Sequence, residues 1–133
     1  MQNSASSALP RHLGLAGTYN LRDTGGYRTL DGRTTRWRTF LRSDSLHRVP
    51  SMAQTTLLNY GVRTVIDLRR SDELHIAPDV FASSSEVVYH HISLLADSLP
   101  DRTVAPRSQP DVYRMILEQR QEQLCQTLTT LAA

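Results

Sequence analysis

The stretch that most restricts the fold is residues 61–73, GVRTVIDLRRSDE. Gly61 closes a helix-like segment, and Thr64, Val65, Ile66 and Leu68 then form a short apolar run rich in β-branched residues. A run that is apolar on both sides of its pleat predicts a strand covered on both faces, as in a parallel α/β sheet. Asp67 and Arg69 stand at its carboxyl end. Open α/β sheets bind ligands outside the carboxyl ends of their strands, so this carboxylate and guanidinium are candidate site residues. An ion pair that only orders the following loop accounts for them equally well.

A chain of 133 residues is at most one domain. With 6% aromatic residues, its core must be mostly aliphatic. No apolar run approaches the roughly 20 residues that span a bilayer. The N-terminus, MQNSASSALPRHLG, lacks the basic start and apolar block of a signal peptide. A cytoplasmic location is therefore the expectation, with secretion without a cleavable signal left open. One cysteine permits no internal disulfide and suggests no cysteine-based zinc site. All 15 basic residues are Arg. Arg is the planar fork that suits phosphate and carboxylate, although a coding bias explains the same count. The net charge of +2 argues against extensive nucleic-acid binding.

Residues 1–17 read as a flexible tail and residues 18–133 as the domain. Asp31-Gly32 predicts a hairpin with a two-residue primed turn between Tyr27–Thr29 and a strand over Arg36–Leu41. Val49-Pro50-Ser51 starts a helix whose buried side carries Leu57, Leu58 and Tyr60, and Gly61 stops it. After the central strand, Ser71 is the expected cap of a short helix that Pro78 ends. Residues 87–92 form a second strand and residues 93–107 a long loop. One continuous helix is predicted from Pro110 to the chain end, with Tyr113, Ile116, Leu117, Leu124, Leu128 and Leu131 at helical spacing.

Several residues invite chemistry that the pattern does not favour. Cys125 lies toward the C-terminal end of a predicted helix, where the dipole opposes a thiolate. His90 and His91 point to opposite faces of a strand, and His47 and His75 have no partner at ligand spacing, so no metal site is expected. Arg33, Arg36, Arg38 and Arg42 around Trp37 read as a solvated basic face rather than a nucleic-acid surface. Asp97 follows the second strand in a polar loop, where it is either a loop cap or a general acid.

Taken together, Asn20-Leu21-Arg22-Asp23, Gly25-Gly26-Tyr27, Asp31-Gly32-Arg33, Leu41-Arg42-Ser43-Asp44-Ser45-Leu46 and Val65-Ile66-Asp67-Leu68-Arg69 followed by Glu73 resemble the bacterial tyrosine-specific protein phosphatase family. That family includes dual-specificity and phosphoinositide-active members, the secreted mycobacterial tyrosine phosphatase among them. Its pattern has Phe where Leu21 stands. The match loosens through Val87–Leu94 and returns at Tyr113-Arg114 and the last helix. The family's next piece is a strand ending in His-Cys and a phosphate loop closing on Arg, which these residues do not contain. The resemblance therefore implies the N-terminal portion of a cysteine-phosphatase α/β fold, a partly parallel sheet flanked by helices with an N-terminal β-hairpin.

The implied chemistry is two-step phosphoryl transfer through a cysteinyl-phosphate, with no metal or organic cofactor. Asp97 is the implied general acid and Asp101 its competitor. Asn20, Arg22, Asp23, Arg42, Ser43, Asp67 and Arg69 map to motifs that would hold the phosphate loop by charge-assisted hydrogen bonds. The implied partners are a phosphorylated protein or a phosphoinositide. Without nucleophile or cradle, the 133 residues are expected to be inactive alone and to self-associate through an open sheet edge. The rival expectations are a non-catalytic phosphate-binding or protein-interaction module and a small Arg-rich nucleic-acid binder.

Overall fold

The computed structural model describes residues 10–95 and 108–133. The chain divides into two compact units, Met1–Gly61 and Val62–Ala133. The architecture is mixed α/β, with an antiparallel N-terminal hairpin, a small parallel sheet and helices, as the motifs led us to expect.

In the first unit, β1 (Arg22–Asp23) pairs antiparallel with β2 (Leu41–Arg42), Arg22 opposite Arg42 and Asp23 opposite Leu41. Of the expected tail, Arg11–Leu13 lies along β1. The Asp23 N–H donates to the Arg11 carbonyl at 2.8 Å, and the Leu13 N–H to the Leu21 carbonyl at 3.1 Å. Helix α1 (Ser51–Tyr60) starts after extended Pro50 and ends at Gly61. Gly61 sits at φ 115°, and its N–H reaches the carbonyls of Leu57 and Leu58. Leu21, Val49, Ala53 and Leu57 are the buried apolar residues here.

The hairpin differs from expectation in two respects. Thr29 and Arg33 flank a three-residue loop: the Thr29 N–H donates to the Arg33 carbonyl, and the Gly32 N–H to the Thr29 carbonyl. Only Gly32, at φ 81°, is left-handed in the turn. A primed two-residue turn would require Asp31 to be left-handed too. The arrangement is a type I turn followed by a left-handed glycine. The expected strand over Arg36–Leu41 is also absent. Residues 37–39 turn, Arg38 takes φ 58°, and pairing resumes only at Leu41.

In the second unit, β3 (Thr64–Asp67) and β4 (Val88–His91) pair in parallel, with Thr64 opposite Val88 and Asp67 opposite His91. Helix α2 (Ser71–Ile76) lies between them in sequence. Ser71 is its first residue and not its cap. The Glu73 carboxylate reaches back to accept from the N–H of Arg70, the residue at the cap position, at 3.0 Å, which is the reciprocal half of a capping box and not the bond a cap hydroxyl would make. Val65, Phe81, Val87 and Ile92 are buried. Asp79 turns the chain into Phe81 by accepting its N–H at 2.8 Å.

The C-terminal helix is two helices, α3 (Gln109–Gln119) and α4 (Gln121–Ala132). The Ser108 hydroxyl caps α3 at the Asp111 N–H, with Pro110 in the first turn. The break falls on Arg120, at φ −121° and ψ 32°. Its guanidinium donates to the Ser93 carbonyl at 3.0 Å and the Leu94 carbonyl at 3.2 Å. Tying this side chain to the segment after β4 interrupts a pattern that is otherwise continuous in sequence.

Candidate functional site

Two polar centres stand out, one in each unit. In the first, Asp23 is fully buried on β1. Its Oδ1 accepts from the Gly25 N–H at 2.7 Å, and its Oδ2 from the Arg38 N–H at 2.8 Å and the Tyr60 hydroxyl at 2.7 Å. Burial works against the charged form. The Tyr60 hydroxyl, the two N–H groups and the Arg11 charge outweigh it, holding the carboxyl below its ordinary pKa. The same burial, with the Asp23 charge beside it, raises Tyr60.

The loop held by Asp23 is braced by stacked cations. The Arg11 guanidinium lies 3.8 Å from the Tyr27 ring centre and 5.4 Å from that of Trp37, and donates to the Gly25 carbonyl at 2.8 Å. The Arg38 guanidinium lies 4.8 Å over Tyr60. Gly25 is needed for space: a Cβ there would stand 2.5 Å from the Trp37 Cα.

The other family-motif residues of this unit lie along the same strands. The Arg22 guanidinium donates to the Asn20 side-chain oxygen. Arg42 is exposed opposite Arg22, and Ser43 donates to Asp44 at 3.4 Å. Asp44 gathers the N–H groups of Tyr19 and Asn20 at 3.0–3.2 Å. Although burial opposes it, those two N–H groups keep its pKa low.

In the second unit, Asp67 ends β3 as a buried carboxylate. Arg69 grips it as a fork, Nη2 to Oδ2 at 2.7 Å and Nε to Oδ1 at 3.0 Å, while the Arg69 N–H donates to Oδ1 at 3.1 Å. The Tyr89 hydroxyl adds a bond to Oδ2 at 3.1 Å. Tyr89 pairs with Val65, so it shares the face of Asp67 two residues along, within diagonal reach. Burial penalises the carboxylate, but the Arg69 fork, its N–H and the Tyr89 hydroxyl bring the pKa below normal. Asp67 in turn raises Arg69 against its partial burial. Tyr89 is pushed up, by burial first and then by the Asp67 charge.

Arg69 Nη1 is also committed, to the Ala77 carbonyl at 2.9 Å, and the Arg69 carbonyl meets His91 Nε2 at 2.8 Å. The fork is thus turned inward on the protein. Its chemical capacity is to fix the loop at the end of β3 and, through Ala77, the end of α2.

Asp97 and Asp101 lie outside the described residues. Cys125 is exposed on α4. Among the described residues no three His, Cys, Asp or Glu side chains converge as metal ligands, and no helix is long and apolar enough to cross a membrane. Sequence reasoning singled out Asp23, Asp67 and Arg69 as supports of a phosphate loop and did not anticipate the partners they have here, Tyr60, Tyr89, Arg38 and Arg11. A tyrosine on an otherwise apolar face was the available signal, because a buried hydroxyl requires a partner.

A profile of the tyrosine phosphatase family matches residues 13–133, nearly the whole chain. The chain belongs to that family. No curated protein matches it.

Proposed function

We propose that these residues frame the active site of a protein-tyrosine phosphatase of the bacterial, mycobacterial-type group, acting on phosphotyrosine, other phosphoproteins or phosphoinositides. The observation that carries this reading is the Asp67–Arg69 fork at the carboxyl end of a parallel strand, inside the span matched by the family. Asn20, Arg22, Asp23, Arg42, Ser43, Asp67 and Arg69 would act as supports, fixing the walls against which a phosphate loop is held. Asp97 would protonate the leaving oxygen, with Asp101 as the competing acid.

The 133 residues contain no Cys followed six positions later by Arg, since Cys125 is followed by Leu131. In the proposed reaction a thiolate attacks phosphorus, the bond to the leaving oxygen breaks as that oxygen takes the acid's proton, and water then releases phosphate from cysteine. General acid assistance alone supplies only about a hundred- to ten-thousand-fold. The 133-residue chain should therefore show no turnover of an aryl phosphate, and reproducible hydrolysis by it would overturn the proposal. The same assay on the chain joined to the reading frame downstream of Ala133 should show turnover if that frame supplies His-Cys-x5-Arg. Phosphopeptide binding without turnover in both would favour the interaction-module reading.

The proposal extends to self-association. Among the described residues β3 pairs only with β4, and Leu68 and Val88 are exposed. An open edge of this kind templates further pairing. The mass by light scattering should rise with concentration; a constant monomer mass would count against it.

A further inference from the structure

Charge is unevenly spread along the chain. Residues 1–61 carry eight Arg against three Asp, a formal +5, whereas residues 62–133 carry seven Arg against ten acids, −3. The three Asp of the first unit are all engaged: Asp23 with Gly25, Arg38 and Tyr60, Asp31 with Thr29 and Arg33, and Asp44 with Tyr19 and Asn20. The cationic excess of this unit has no carboxylate of its own left to meet.

One of those cations edges an apolar groove. Thr24, Tyr27, Thr35, Arg36, Thr39 and Phe40 line an open groove of about 490 Å³ on the hairpin. Tyr27 and Phe40 leave about half of their surface exposed, at 53% and 43%. Arg36 is exposed and, among the described residues, has no hydrogen bond or ion pair. The three threonine hydroxyls donate to the carbonyls of Phe40, Thr24 and Trp37, and the Thr35 oxygen already accepts from the Tyr27 N–H at 2.9 Å, so the acceptor capacity offered to a visitor lies chiefly at Thr24 and Thr39.

We propose that this groove docks a peptide segment of a protein partner in which an aromatic residue is flanked by Asp or Glu. The aromatic side chain suits the Tyr27 and Phe40 walls, a flanking carboxylate suits the Arg36 fork, and peptide N–H groups suit the hydroxyl oxygens. A phosphate backbone or lipid headgroup surface fits less well. Arg33 is tied to Asp31 at 2.6 Å and Arg38 lies over Tyr60, so neighbouring cations do not extend Arg36 into a track. The inference is independent of the phosphatase reading, because its readout is binding.

The test titrates the 133-residue chain with a Trp-free peptide carrying one Phe between Asp and Glu residues. Emission of Trp37, the single Trp and the neighbour of Arg36, reports on the groove. A saturable change is expected, weakened by added salt. Arg36→Glu should weaken binding by about tenfold or more through like-charge repulsion. Arg36→Gln should weaken it less, and both variants should melt as the parent does because the side chain is exposed. The proposal is overturned by no saturable binding, by equal affinity for a Lys-flanked peptide, or by equal affinity of the parent and both Arg36 variants. Tighter binding to a DNA oligonucleotide or to phosphatidylserine vesicles than to the peptide would overturn it as well.

Discussion

The Tyr60 hydroxyl donates to Asp23 Oδ2 at 2.7 Å, joining the last turn of α1 to β1 across 37 positions of sequence. Asp23 is fully buried, so this bond also answers part of the cost of hiding a carboxylate. Tyr60→Phe keeps the ring beneath Arg38 and removes only the donor. Hydrogen bonds to charged groups contribute about 1.5–3 kcal/mol. The urea midpoint should fall by an amount corresponding to that loss. An unchanged midpoint would show that water replaces the hydroxyl freely.

How much of this was legible depends on the range of the controlling contact. Helix α1 was readable because Pro50 and Gly61 act on their own backbone, and β3 because its apolar run is local. The turn at Asp31-Gly32 was located, but its type depends on whether Asp31 enters left-handed space, and that dipeptide serves both kinds of loop. Alternation over Arg36–Leu41 suggested a strand. What breaks it is Asp23, which draws in the Arg38 N–H from 15 residues away. The helix break at Arg120 is likewise set by carbonyls at Ser93 and Leu94, more than 25 positions back. Asp67 with Arg69 was visible because the pair is two residues apart, whereas Tyr89 joined it only through strand register.

The hairpin glycines separate backbone strain from lack of room. Gly32 is left-handed at φ 81°, but a Cβ there meets nothing within 4 Å. Gly32→Ala should cost about 1 kcal/mol, the usual left-handed penalty. Gly25→Ala forces a Cβ to 2.5 Å from the Trp37 Cα, and overpacking of that kind costs about 1–3 kcal/mol. Trp37 emission should shift for Gly25→Ala and stay put for Gly32→Ala. Equal emission from the two variants would contradict the packing described here.

Arg120 breaks a helix to hold the segment after β4. Arg120→Ala removes both guanidinium bonds and introduces the best helix former. Helical ellipticity should hold or rise, while amide protection at Leu94 falls, since its N–H otherwise donates to the Leu68 carbonyl at 3.2 Å. Loss of ellipticity with unchanged protection at Leu94 would mean that Arg120 supports the helices and not the segment.

The Asp67–Arg69 fork should make stability sensitive to acid in a direction fixed by its pKa. Folding lowers the Asp67 pKa, while an unfolded Asp titrates near about 3.9. A group held lower in the fold contributes fully above the unfolded value, and the contribution fades as pH falls through the folded one. Asp67→Asn leaves the Arg69 charge without its counter-ion, which for a buried pair costs about 3–5 kcal/mol. The loss should sit at the lower end because the Arg69 side chain keeps 18% of its surface. Urea titrations of parent and variant should therefore differ most near pH 7, begin to narrow below about pH 4, where the unfolded chain takes up the proton, and meet only below the lower value at which the folded carboxylate is protonated. A gap that stayed constant down to pH 3 would show that shape, and not charge, makes Asp67 matter.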